Sequence, residues 1–350
     1  MSDAARAILV VNAGSSSIKA AVFEDGREVA RAAGDAIPDH HAALTQVLSA
    51  LQAQGYGLSQ VAAAAHRVVH GGARLVASTR ITQRVRDQIA DCIPLAPLHN
   101  PHSLTAIDWI SVTAPDLPQY ASFDTAFHAT IPDVATRYAL PTTPDTQGLR
   151  RYGFHGISYA ALVRALPEQT GRPLPRRLLA FHLGNGASIC AIRDGISVAT
   201  TMGYSPNAGL TMGTRSGDMD PAAVLELARR KGVDGAEHLL GHDAGLLGLS
   251  GLSADMRRLT ASDDPRAEFA TQHFCYWAAR HGGSMIAAMG GLDAIAFTGG
   301  IGENAKEIRN EILDNLAWAG DGSCHIVPAQ EEVFIACEAI TLLKGPPHAA

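Results

Sequence analysis

ILVVNAGSSSIK, residues 8 to 19, compresses a strand, a turn and the start of a second strand into one short stretch. The apolar run Ile8 to Val11 is what a strand buried on both faces looks like. It breaks at Asn12-Ala13-Gly14 into three serines and ends on Lys19. A glycine lets the backbone turn tightly, so that serine hydroxyls and backbone N–H groups can surround an anion beside a compact lysine charge. The GxxxxGK[ST] spacing of a Walker A loop is absent, so a phosphate held here is held another way. A polar hairpin turn leading into an edge strand, Ile18 to Phe23, is the plainer alternative.

Around this stretch lie 350 residues, 47% hydrophobic and 18% charged, a balance that suits a globular chain of two domains. A net charge of −6 and a pI of about 6.2 favour neither nucleic acid nor an anionic membrane as partner. Cys92, Cys190, Cys275, Cys324 and Cys337 are odd in number and far apart, with no CxxC pair, which predicts a reducing, cytoplasmic setting. The opening MSDAARAILVV carries an acid and no small-residue cleavage site, and reads as a strand rather than a signal peptide. No apolar run reaches the ~18 residues that a membrane helix needs.

Strand-like runs recur at Ile8–Val11, Val61–Val69, Gln119–Phe123, Leu178–Leu183, Ser188–Ile192 and Ala294–Thr298, with helical patterns between them. That alternation predicts α/β architecture. The Pro-rich LPTTPDTQ over Leu140–Gln147 interrupts it and predicts a hinge or domain boundary. Leu178 to Leu183 followed by Gly184-Asn185-Gly186-Ala-Ser188 repeats the opening grammar of strand, Gly/Asn/Ser turn and strand. A third glycine cluster, Thr298-Gly-Gly300-Ile-Gly302-Glu303-Asn304, follows another buried strand and precedes a predicted helix, Ala305 to Ala317. Small residues there let a flat group such as adenine lie against backbone, and a helix N-terminus favours an anion. Three such clusters, each straight after a buried strand, predict nucleotide binding.

Polar residues occupy places where loops are usually bland. Arg67 sits in the strand-like HRVV, Asp124 ends the strand Gln119–Phe123, and Arg150, Arg151, His155 and Arg215 stand beside glycines. Arginine suits phosphate because its rigid fork makes paired hydrogen bonds. His66 and His70 have HxxxH spacing, but a zincin needs Glu after the first histidine, and Arg67 stands there.

NAGSSSIK, HRVVHGG, PLHNP, FDTAFH, RRYGFHG, HLGNGAS, MGTRSGDMDP, SGLSADMR and GGIGEN follow one another from Ile8 to about Glu331. In kind and order these motifs resemble the acetate and propionate kinase family. The resemblance implies two RNase H-like domains of the sugar kinase, Hsp70 and actin superfamily with a cleft between them. It implies an N-terminal domain over 1–145, joined by a C-terminal return of about 331–350, and a nucleotide-binding domain over 146–330. It further implies a homodimer that phosphorylates acetate or a similar short-chain carboxylate with ATP and Mg²⁺. Carried onto matching positions, Arg67, Asp124, His155 and Arg215 are the catalytic set. Asn12 and Glu331 hold the metal, and Lys19 lies near the nucleotide phosphates. The nucleotide stretches are His182, Leu183, Gly184, Asn185 and Gly186, then Asp255, Met256 and Arg257, then Gly300, Ile301, Gly302, Glu303 and Asn304. Arg67, Val69, Leu98, Phe154 and Pro206 form the acetate pocket.

Departures from the family pattern bear on specificity. Only 48 positions separate Lys19 from Arg67 and 29 separate Gly302 from Glu331, both shorter than usual. GFHGTSH is here Gly153-Phe-His-Gly-Ile157-Ser-Tyr159, TPLEGL is Ser205-Pro206-Asn207-Ala208-Gly209-Leu210, and the Thr-Asn before the metal glutamate is Ala329-Gln330. Two alternatives follow: a propionate-preferring kinase, or a shortened nucleotide-binding paralogue with a regulatory role. A sugar kinase would need a carboxylate base for a hydroxyl, which Asp124 could provide. Retention of every charged transfer residue argues against the regulator.

Overall fold

The computed structural model describes residues 7–14, 17–35, 39–320 and 322–345, and Ser15 and Ser16 of the first turn lie outside them. The chain divides into two compact units. Unit 1 comprises Met1–Ala129, Gly156–Ala161 and Gln330–Ala350, and unit 2 comprises Thr130–His155 and Leu162–Ala329. The chain first leaves unit 1 at Ala129/Thr130, re-enters it for Gly156–Ala161 and returns to it at Gln330, and the Pro-rich Leu140–Gln147 lies within unit 2.

Unit 1 holds a sheet of strands β1 (Ile8–Ala13), β2 (Ser17–Glu24), β3 (Arg27–Asp35), β4 (Ala63–Val68), β5 (Thr79–Arg80) and β6 (Gln119–Phe123). They lie in the order β3-β2-β1-β4-β6-β5. β1 and β2 pair antiparallel, while β1, β4 and β6 run parallel. Residues 18–23 are not an edge strand, because β2 is bonded to β1 on one side and β3 on the other.

The alternation of β1 shows why this segment must be a doubly covered strand. Ile8 and Val10 face the C-terminal helix, Glu331–Lys344, and pack with Ala63, Ala65, Phe23 and Tyr120 against its Ile335, Ala336 and Ala339. Leu9 and Val11 face the other way, onto Leu44, Val47 and Leu51 of helix His40–Ala53 and onto Ile110 of helix Asn100–Thr113. The apolar stretch Val333 to Leu343 is therefore a helix, and it seals one face of the N-terminal sheet.

Unit 2 repeats the plan with β7 (Arg177–Leu183), β8 (Ala187–Arg193), β9 (Ile196–Thr200), β10 (Ala294–Thr298) and β11 (Ser323–Ile326). The order is β11-β10-β7-β8-β9, with β7, β8 and β9 antiparallel and β7, β10 and β11 parallel. Phe181 and Phe297 stack across β7 and β10 with centroids 4.9 Å apart. Helix Pro265–Met289 packs on β8 and β9. The third glycine cluster is itself helical, Gly299–Asn304, and a break at Ala305 separates it from helix Lys306–Asn315. Gly299 has φ +79, and a Cβ there would stand 2.7 Å from the Leu183 carbonyl, so the chain turns here only because the residue has no side chain. Among the described residues, no helix is long and apolar enough to cross a membrane.

Candidate active site

In open α/β sheets, ligands gather at the carboxyl ends of parallel strands. In unit 1 those ends carry Asn12 on β1, Arg67 on β4 and Asp124 directly after β6. Asn12 follows Val10 in the alternation that faces the C-terminal helix. It stands opposite Lys19 in the β1–β2 ladder, so the two side chains share a face, with Lys19 exposed.

The Asp124 carboxylate is buried and grips Arg67. Nε donates to both oxygens at 3.2 Å and Nη2 donates to Oδ2 at 2.8 Å. Nη1 points instead to Glu331 Oε2, 3.8 Å away. Burial opposes the guanidinium charge, but Asp124 and then Glu331 outweigh it and hold the pKa above the ordinary arginine value. Asp124 is therefore ion-paired with Arg67 through two of its nitrogens. Glu331 stands at the first turn of the C-terminal helix, and the neighbouring Glu332 carboxylate pairs with Arg31 of β3. That helix is thus tethered by charge at the end nearest Arg67.

The four side chains expected to line an acyl pocket divide between the units. Val69 is half-buried and Leu98 is 54% exposed in unit 1. In unit 2, Phe154 is buried, and half-buried Pro206 offers its carbonyl to Arg215.

Unit 2 builds a second constellation around the Gly184-Asn185-Gly186 turn between β7 and β8. A cavity of about 790 Å³ is lined by Gly184, Asn185, Asp255, Met256, Arg257, Gly300, Ile301 and Asn304, within the range of small-molecule sites. Thr260 and Glu307 also line it, and neither carries a sequence signal that marks it. Leu183 and Gly302 are buried and do not line the cavity. Glu303 is a buttress: its carboxylate accepts from the backbone N–H of Gly299 at 3.1 Å and of Ala329 at 3.0 Å. Asp255 caps helix Met256–Thr260 and clamps exposed Arg257 through Nη2 at 2.7 Å.

His155 and Arg215 converge on the third residue of the turn. A Cβ added at Gly186 would lie 3.2 Å from His155 Nε2 and 3.6 Å from Arg215 Nη1. His155 stacks on His182 with centroids 4.1 Å apart. Arg215 Nη1 donates to the Pro206 carbonyl at 3.4 Å, and burial pushes its pKa down. The Arg215 loop is stitched to the turn, since the Gly213 N–H donates to the Asn185 carbonyl at 3.0 Å. Two cationic or proton-bearing groups thus flank one bare backbone position, next in the chain to Gly184 and Asn185 of the cavity lining. That arrangement stabilises negative charge.

Residues 23–323 match the Acetokinase family. The chain is 48% identical over 264 residues to the acetate kinase of Rhodopseudomonas palustris CGA009, a match that covers 75% of this chain and 66% of that protein, just under two thirds of its length. It is 38% identical to the acetate kinase of Methylocella silvestris across 97% of this chain and 98% of the relative. Among solved structures, Porphyromonas gingivalis acetate kinase superposes with a TM-score of 0.89 at 33% identity, covering 97% of this chain and 100% of that one. A propionate kinase from Francisella tularensis gives 0.87 at 32%, covering 95% and 98%. A ROK hexokinase from Thermus thermophilus, 13% identical with a TM-score of 0.52 and covering 97% and 100%, shares the fold alone.

Proposed function

The chain belongs to the acetokinase family, and from that footing we propose that it transfers the γ-phosphoryl group of ATP to acetate, reversibly and in line. The observation that carries this reading is the Gly184-Asn185-Gly186 turn. Its first two residues line the cavity, and its third faces His155 Nε2 and Arg215 Nη1.

A simple carboxylic acid has a pKa of about 4–5, so acetate is ionised at neutral pH and needs no general base. One carboxylate oxygen bonds to the γ-phosphorus while the bridging P–O bond breaks and ADP leaves with the electron pair. The obstacle is the approach of an anion to a polyanion. Arg67, Arg215, Lys19 and the His155 imidazole are the proposed groups that offset this repulsion and stabilise the equatorial oxygens. With Asp124 committed to Arg67, a base-catalysed attack by a sugar hydroxyl is the poorer reading.

The donor chemistry at Asn12 and Glu331 fits Mg²⁺, which takes oxygen ligands and commonly only one or two from protein. Bound there with the nucleotide, the ion would neutralise charge on the phosphates. Glu331→Gln is expected to raise the magnesium concentration needed for half-maximal turnover by about tenfold and to leave the melting temperature within a few degrees. An unchanged magnesium requirement would remove Glu331 from the metal site. The exposed Phe269, Tyr276 and Trp318 of unit 2 support a homodimer, and unpaired cysteines among the described residues fit a reducing cytoplasm.

ADP release measured with acetate, propionate, butyrate and no acid tests the activity and its acyl preference. One methylene in a small apolar pocket changes discrimination by roughly 10–200-fold. Acetate is expected to have the highest kcat/KM and butyrate the lowest. Propionate ranking first would select the second family activity, and ADP release indifferent to any acid would sink the phosphotransfer reading.

A further inference from the structure

The nitrogen of His155 on the far side from Arg215 has its own buried partner. Nδ1 lies 2.9 Å from the Ser188 hydroxyl, and Ser188 is completely buried on β8. In the β7–β8 ladder Ser188 is paired with His182, so the serine and the stacked imidazole project from the same face of the sheet. The ring of His155 therefore rests on His182 and is pinned at one edge by Ser188. Its backbone is in the left-handed region, φ 58, an uncommon conformation for a residue with a Cβ. Three constraints fix where Nε2 lies, 3.2 Å from the place a Cβ on Gly186 would take and on the same side of that turn as Arg215 Nη1.

We propose that Ser188 is a positioning residue for the phosphoryl-transfer step: its hydroxyl donates to Nδ1 of His155, so that the neutral ring carries its hydrogen on Nε2. A neutral imidazole has one donor and one acceptor nitrogen, and the bond made by one decides the role of the other. With Nδ1 accepting, Nε2–H becomes a donor at the Gly186 turn, beside Arg215, for an equatorial phosphoryl oxygen brought there. The opposite tautomer would present a lone pair to that oxygen and repel it. Outer partners of this kind typically change activity by about 10–100-fold when removed. What Nε2–H meets depends on the phosphotransfer reading; the tautomer itself does not.

Two measurements on the full-length protein test the inference. Histidine side-chain ¹⁵N resonances, with His155 assigned from its loss in His155→Gln, report the tautomer without any substrate. The wild type is expected to show neutral His155 protonated on Nε2, and Ser188→Ala to show an increased share of the Nδ1–H form. In kinetics, Ser188→Ala is expected to lower kcat by roughly 10–100-fold with KM for ATP and acetate within about twofold. Ser188→Cys, which keeps a weak donor, is expected to fall between alanine and wild type. An Nδ1–H tautomer in the wild type overturns the proposal, as does wild-type kcat in Ser188→Ala, or a rise in KM alone. Should wild-type protein release no acid-dependent ADP, the phosphotransfer reading fails while the resonance experiment still decides the tautomer.

Discussion

Arg215→Ala and Arg67→Ala are each expected to lower kcat with acetate by roughly two to four orders of magnitude, in keeping with the 10³–10⁵ attributed to arginines that stabilise a transferring phosphoryl group. Their effects on stability should diverge. Arg215 is part-buried, burial alone depresses its pKa, and no carboxylate pairs with it among the described residues. A charge kept where the fold gains little from it marks a group retained for function. Arg215→Ala should therefore melt no lower than wild type. Removing Arg67 instead leaves buried Asp124 and the nearby Glu331 without their shared counter-charge, and the melting temperature should drop. Parallel kcat and melting measurements check both. Near wild-type turnover in either variant would make that arginine structural.

Much of the fold was legible because its central strands, β1, β6, β7, β8 and β10, are apolar runs buried along nearly their whole length. Gln119–Phe123 and Ala294–Thr298 are strands at the positions read from sequence, and the echo between residues 8–19 and 178–188 is a real repetition of a strand paired with the antiparallel strand that follows it. Glycine misled in one place. Gly299–Asn304 reads as a turn from composition, yet Gly299 turns against the Leu183 carbonyl and the rest continues as a helix under the Glu303 buttress. The helix propensity of such a segment is poor, and tertiary contacts override it. The division of the chain was also displaced, because a Pro-rich segment signals irregular backbone and not the edge of a packed unit. In the site, residue types identified the cations but could not assign their partners. That Asp124 serves Arg67, that Glu303 serves a backbone loop and that Ser188 meets His155 are facts of distant chain segments brought together.

The Asp124–Arg67 pair offers a decisive separation between a base and a holder. If Asp124 removed a proton, its loss would abolish the reaction whatever became of Arg67, and the two substitutions would multiply. The bidentate geometry, Nε at 3.2 Å and Nη2 at 2.8 Å, favours the opposite: without the carboxylate the guanidinium loses its orientation, and without the guanidinium the carboxylate loses the group it grips. Asp124→Ala is expected to reduce kcat by roughly 10²-fold, the scale on which a misplacement of about 1 Å acts. It should also destabilise the protein by about 3 kcal/mol, as breaking a largely buried ion pair does. The double variant Arg67→Ala/Asp124→Ala should then turn over at the rate of Arg67→Ala alone, within about threefold, since residues acting as one unit are not additive. It should also recover part of the stability lost by either single change, because no charge of that pair is left without its partner. A double variant slower than both singles by the product of their losses would return Asp124 to an independent role in the chemistry.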